Sequence, residues 1–197
     1  MRRVFRHLAP LLGLLVLTLS CGPPPAPPGP GEARGAIPDL RGFTVMVLPV
    51  QLKNFVPSGV LADEELAHAL GTRGEQVEWV FPPELERALA RSPGVSTRIT
   101  GLPVQVFEQA EVDRVGDPLF GNLLRLATIA GADVALIPTK LEYTDSGAFV
   151  LGAALIGIRT GRVSWYGVLE GTPGEADDPA AIASIADRLA RTLLPFG

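Results

Sequence analysis

Apolar positions in this chain first form one dense block, Leu8 to Leu19, and from Phe43 onward they recur with strand or helix periods. Phe43-Thr-Val-Met-Val-Leu-Pro-Val50 is a β-branched apolar run bounded by Gly42 and Pro49, the pattern of a buried first strand. Over 60–70, Leu61, Leu66, Ala67 and Leu70 fall at helical spacing. Asp63, Glu64 and Glu65 are expected in the first turn, where acids favour the helix dipole, and Gly71 to Gly74 should stop the helix. Val77 to Phe81 reads as a short strand, and Pro82-Pro83 opens a helix through Arg91. Val95–Ile99 and Val104–Phe107 read as short strands around a turn at Gly101.

The second half is more regular. Asp117-Pro118 is expected to start a helix, with Asp117 as its cap and Pro118 at the first helical position. That helix should turn Phe120, Leu123, Leu124, Ala127 and Ala130 to a core and end at Gly131. A strand follows over Val134–Tyr143. Phe149–Ile158 is apolar at both alternating sets of positions, so it belongs in the middle of a covered sheet. Arg159-Thr-Gly-Arg162 makes a turn into Val163–Glu170, its hairpin partner. Asp178-Pro179 opens a last helix with Ile182, Ile185, Ala186, Leu189 and Leu193 on one side, closed by Pro195. The expected fold is a single α/β domain: a mixed β-sheet covered by helices, with a C-terminal β-hairpin followed by a closing helix.

The block at Leu8–Leu19 belongs to something else. Arg2, Arg3 and Arg6 precede it, it is too short to cross a bilayer, and it runs into Cys21, the one cysteine of the 197 residues. Leu17-Thr-Leu-Ser-Cys21 resembles a bacterial lipobox, which implies cleavage before Cys21 and acylation of that residue. An ordinary cleaved signal with an incidental cysteine is the competing reading. The resulting division is 1–20 signal peptide, 21–42 lipidated cysteine and Pro/Gly-rich linker, and 43–197 periplasmic domain.

Composition sharpens this. Without residues 1–20, 14 Lys+Arg face 21 Asp+Glu, a formal charge of −7. That argues against nucleic acid as a partner and against charge-driven docking on anionic lipid. Membrane attachment would have to come from acyl chains on Cys21. Residues 22–31, GPPPAPPGPG, are expected to form an extended spacer that neither pairs into a sheet nor winds into a helix. At roughly 3.1 Å per residue such a spacer reaches about 30 Å.

Candidate chemistry is sparse. Neither a GxxxxGK[ST] loop nor a GxGxxG turn occurs, and no serine sits in a GxSxG setting. His68 is the one histidine outside the leader and lies on a helix beside acids, so it reads as a surface residue rather than a base or ligand. Glu84/Glu86, Glu108/Glu111/Asp113 and Asp177/Asp178 could pair as general acid and base, but each reads more simply as helix-start or solvated charge. No catalytic residue, cofactor or metal site is expected. Trp165 and Tyr166 are consecutive on a strand and face opposite ways. Trp165 reads as core, and Tyr166 as an exposed partner contact. Insertion of the 149–170 hairpin into a membrane is disfavoured because both of its faces are apolar.

The passage AGADVALIPTKLEY followed by FVLGAALIGIRTGRVSWYGVLEGTP resembles a superfamily of bacterial envelope lipoproteins and domains. It includes the curli-secretion-channel lipoprotein, the outer-membrane lipoprotein activators of penicillin-binding proteins, and the N-terminal domain of the Tol β-propeller protein. The resemblance covers about 43–50 and 117–194, and residues 51–116 depart from it. Gly131, Asp133, Thr160, Gly161 and Trp165 match as fold determinants. The leading expectation is a non-enzymatic lipoprotein facing the periplasm, with an envelope protein as partner; Gly22 after Cys21, rather than Asp, fits anchoring in the outer membrane, with the inner membrane or the cell surface as alternatives. The alternatives are a small-molecule binder or cell-wall hydrolase with a pocket at the carboxyl ends of the strands, and an oligomeric secretion-channel component.

Overall fold

The computed structural model describes residues 25–53 and 59–195. Seven strands form one mixed sheet: β1 (Ala33–Gly35), β2 (Thr44–Val47), β3 (Leu52–Lys53), β4 (Glu78–Val80), β5 (Val134–Tyr143), β6 (Phe149–Gly157) and β7 (Arg162–Glu170). Their spatial order is β1-β7-β6-β5-β2-β4, with β3 beside the distal half of β5. The parallel part is β4-β2-β5, and β5-β6-β7-β1 is antiparallel. The helices are α1 (Gly59–Arg73), α2 (Pro82–Ala90), α3 (Val106–Gln109), α4 (Leu119–Ala130) and α5 (Pro179–Leu193).

Alternation along β2 shows why the sheet is covered twice. Val45 and Val47 join one buried cluster with Leu66 and Leu70 of α1 and Ile182, Ile185 and Leu189 of α5. Met46 and Leu48 join the other, with Leu85 of α2, Phe107 of α3 and Leu123 of α4. Side chains of opposite parity point to opposite faces, so helices lie on both. Strand β6, central and fully covered from Phe149 to Ile156, is the spine of the molecule. The α/β class, the hairpin β6–β7 and the closing helix agree with the sequence pattern. Among the described residues no helix is long and apolar enough to cross a membrane.

Asp133 splices the two halves. Its amide donates to the Thr44 carbonyl (2.9 Å), its carboxylate accepts the Thr44 amide (3.2 Å), and its carbonyl accepts the Ile158 amide (2.9 Å). Gly161 sits at φ +67°, a left-handed conformation that favours glycine, and a Cβ there would press on the Phe120 ring at 3.0 Å. Trp165 is 3% exposed.

Five expectations need correction. Helix α1 begins at Gly59, so its acids miss the first turn, and Asp63 Oδ1 instead accepts the Val50 amide at 2.7 Å. Neither Val95–Ile99 nor Val104–Phe107 pairs as a strand. Residues 95–105 are irregular and lead into α3. Pro118 sits at the N-cap of α4 rather than inside it, behind a cis Asp117–Pro118 peptide, while Asp117 Oδ1 still accepts the Gly121 amide at 2.9 Å. Leu124 is 45% exposed, and Leu119 and Leu126 are buried on the core side in its place. Finally, the sheet starts within the stretch read as linker. Ala33–Gly35 pairs antiparallel with Trp165–Gly167, and the Gly31 amide donates to the Val168 carbonyl at 2.8 Å.

Candidate functional site

Among the described residues, the carboxyl ends of the parallel strands, expected to hold a pocket, are overlain by the 95–105 segment, whose outer side with Asn122 borders a polar pocket of about 300 Å³. Beyond Pro49, the Gln51 amide group donates to the Pro49 carbonyl (2.7 Å) and the Ile99 carbonyl (2.9 Å), and its oxygen accepts the Leu102 amide (2.9 Å). One side chain thereby ties the irregular 95–105 segment over the strand ends, burying Ile99, Leu102 and Val104. Sequence reasoning missed Gln51, because a lone glutamine after a strand carries no motif.

A cleft of greater volume lies at the opposite end. Where β2 and β4 begin, it encloses about 570 Å³ between residues 37–41, the ends of α1 and α5, and the loop before β4. Ile37, Leu40, Val77, Leu193 and Leu194 supply apolar walls, and Asp39, Arg41, Arg73 and Glu75 supply charge. Arg41 grips Asp39 from Nη2 (2.6 Å) and Nε (2.9 and 3.1 Å). Those side-chain bonds hold the Asp39 carboxyl down at about 2. Asp39 is thus a fixed anion near neutral pH and unsuited to donate a proton. The cleft has the size of a small-ligand pocket, with convergent polar groups at its rim.

Tyr166 lies elsewhere, on β7 in the second core cluster. It is half-buried, with its ring 5.2 Å from that of Phe107 and inclined by 21°. Burial pushes its phenol above the ordinary value of 10.0, with Thr139 and the charge of Lys140 working against it. The Thr139 hydroxyl, 1% exposed, beside Tyr166 and over Gly152, makes no hydrogen bond of good geometry. Lys140 Nζ sits 3.0 Å from Glu142 and 3.7 Å from Glu108. Desolvation opposes its charge, yet the bond and charge of Glu142 and the charge of Glu108 raise its pKa.

The remaining candidates are scattered. Cys21 lies outside the described residues. His68 is exposed on α1. Glu84 Oε2 accepts the Phe81 amide (3.0 Å) and pairs with Arg87, Glu111 pairs with Arg34 at 2.6 Å, and Asp178 caps α5 through the Ala180 amide at 2.9 Å. Glu84 and Asp178 sit at helix starts, as their positions suggest, whereas Glu111 pairs across the fold with Arg34. Among the described residues no three His, Cys, Asp or Glu side chains converge as a metal site.

The sheet edges differ. Strand β7 is closed along its outer side, by β1 at Trp165–Gly167 and by residues 113–115 at Gly161–Val163. Strand β4 pairs with β2 alone among the described strands, and its Trp79 donates Nε1–H to the Gly74 carbonyl at 2.9 Å.

The class is therefore an α/β domain with both sheet faces covered, one sealed edge and a cleft at the amino ends of its parallel strands. No family model and no curated protein matches the chain. Solved structures do. The LpoB C-terminal domain from Escherichia coli aligns at 22% identity over 68% of this chain and 84% of that one, with a TM-score of 0.47. The PelC dodecamer from Paraburkholderia phytofirmans aligns at 18% identity over 83% and 97%, with a TM-score of 0.46. A lipoprotein from Neisseria meningitidis aligns at 14% identity over 77% and 99%, with a TM-score of 0.45.

Proposed function

We propose that this chain is a lipoprotein of the bacterial cell envelope, acylated at Cys21, anchored in the outer membrane and facing the periplasm. Its α/β domain binds protein partners in envelope assembly or maintenance and catalyses no reaction. The observation that carries this reading is the leader: three arginines, a short apolar block and a lipobox-like Leu17–Cys21 placed directly ahead of an acidic, disulfide-free domain. Residues 1–20 are then the removed signal. Of Tyr166, the part of the ring that Phe107 leaves uncovered is what a partner meets.

Two measurements test this. A palmitate analogue should label the intact protein and leave Cys21→Ala unlabelled; label retained on Cys21→Ala removes the anchor. Cross-linking of the lipidated protein in membranes, followed by detergent extraction, should recover a stoichiometric envelope partner. Recovery of monomer alone counts against the binding module.

The cleft supports a second reading, a small-molecule or cell-wall-fragment binder. Its volume and charged rim suit a ligand of that size. Incubation with purified cell-wall fragments separates the possibilities, since release of soluble products indicates hydrolysis and saturable retention indicates binding.

A further inference from the structure

We propose that residues 25–36 are a strap that seals the β7 edge and holds the domain close against the membrane, its Pro25–Glu111 side toward the lipid. This rests on the acylation of Cys21 proposed above.

The strap is bonded at both ends and in the middle. The Pro25 carbonyl accepts the Glu111 amide at 3.2 Å, and the Ala36 amide donates to the Ser164 carbonyl at 2.8 Å. Between them, the Val168 amide donates to the Glu32 carbonyl at 2.9 Å, alongside the three-residue pairing of β1. The Arg34 guanidinium joins the strap to the domain, reaching Glu111 at 2.6 Å and the Ala26 carbonyl at 3.3 Å. Pro28 is buried. Gly35 lies flat on β7 at φ +79°, where a Cβ would come within 2.2 Å of the Ser164 carbonyl oxygen. β1 itself, Ala33–Gly35, holds no proline, and Pro25, Pro27, Pro28 and Pro30 precede it in the strap and remove amides that could template further pairing.

Tether length follows. Three residues, 22–24, separate Cys21 from Pro25. Four Cα–Cα steps span at most about 14 Å, against the roughly 30 Å that a free ten-residue proline-rich stalk would reach. With the mature chain at −7, charge does not draw the domain to anionic lipid. The covalent tether keeps it there.

The test uses the intact acylated protein in vesicles, with energy transfer from its two tryptophans to a dansyl-labelled lipid as the measure of separation. Ten Gly-Ser residues are inserted either between Gly22 and Pro23, ahead of the strap, or between Ile37 and Pro38, behind it. The first insertion should lower transfer by about twofold or more, and the second should leave it unchanged. Equal loss with both insertions, or loss with neither, overturns the proposal. Vesicle flotation checks the anchor separately: wild-type protein that does not float overturns the anchor and the membrane-facing assignment together. Hydrogen exchange in detergent then reads the strap by itself. The Gly31 and Ala36 amides should exchange at least about tenfold more slowly than in an unstructured peptide, and unprotected amides there overturn the strap.

Discussion

Residue-level roles here are set by close approach. Gly152 faces a site where a Cβ would lie 2.7 Å from Thr139 Oγ1 and 3.3 Å from the Tyr166 hydroxyl. Gly152→Ala should therefore destabilise the domain by about 1–3 kcal/mol, read as a lower midpoint in urea unfolding. Asp178 illustrates the reverse, a role visible from sequence. Asp178→Ala should cost about 1 kcal/mol through loss of its bond to the Ala180 amide, measured the same way. Asp39 carries a pH signature. Its carboxyl is held at about 2, below the unfolded 3.8, so its pairing with Arg41 favours the folded state above 3.8 and is lost as pH falls toward 2. Both groups are exposed, which keeps the effect on stability small. NMR titration should find Asp39 near 2 in the native protein and close to 3.8 in Arg41→Ala. An unchanged value would remove Arg41 as the cause.

At the scale of elements, helix α5 and hairpin β6–β7 were legible because their signals are local and repeated. An Asp-Pro start, an apolar stripe and a glycine turn each specify backbone within a few residues. Leu189, fully buried on α5, tests the stripe: Leu189→Ala should cost about 2–5 kcal/mol in chemical denaturation. Val95, Ile99 and Val104 are apolar and β-branched, which predicts short strands at 95–99 and 104–107 that do not form. Ile99 and Val104 are buried without sheet pairing, and Val95 is only partly covered. Gln51 is the organiser, so Gln51→Ala leaves the Ile99 carbonyl and Leu102 amide without their partner, at about 1–3 kcal/mol. Exchange of the Leu102 amide should accelerate more than that of amides in β6. Uniform acceleration would instead indicate global destabilisation.

For the whole molecule, the decisive arrangement is a sheet covered on both faces, sealed at β7 and open in a cleft at its amino ends. The α/β class, the central place of β6 and the closing helix are legible in the sequence alone, because each is encoded by short-range periodicity or a cap. It also marked Asp133, Gly161 and Trp165 as fold positions, and they splice, turn and fill the core. Tertiary structure alone decided which strand ends carry the larger cleft, where Tyr166 lies and what the proline-rich stretch does. Gln51 reaches 48 residues along the chain to Ile99, and Arg34 reaches 77 to Glu111. Neither partner is implied by the residues around the other. Proline composition forbids helix and interior strand, which is why 22–31 reads as an extended spacer. Composition does not forbid an edge, and β7 offers one whose unpaired backbone groups the strap can satisfy.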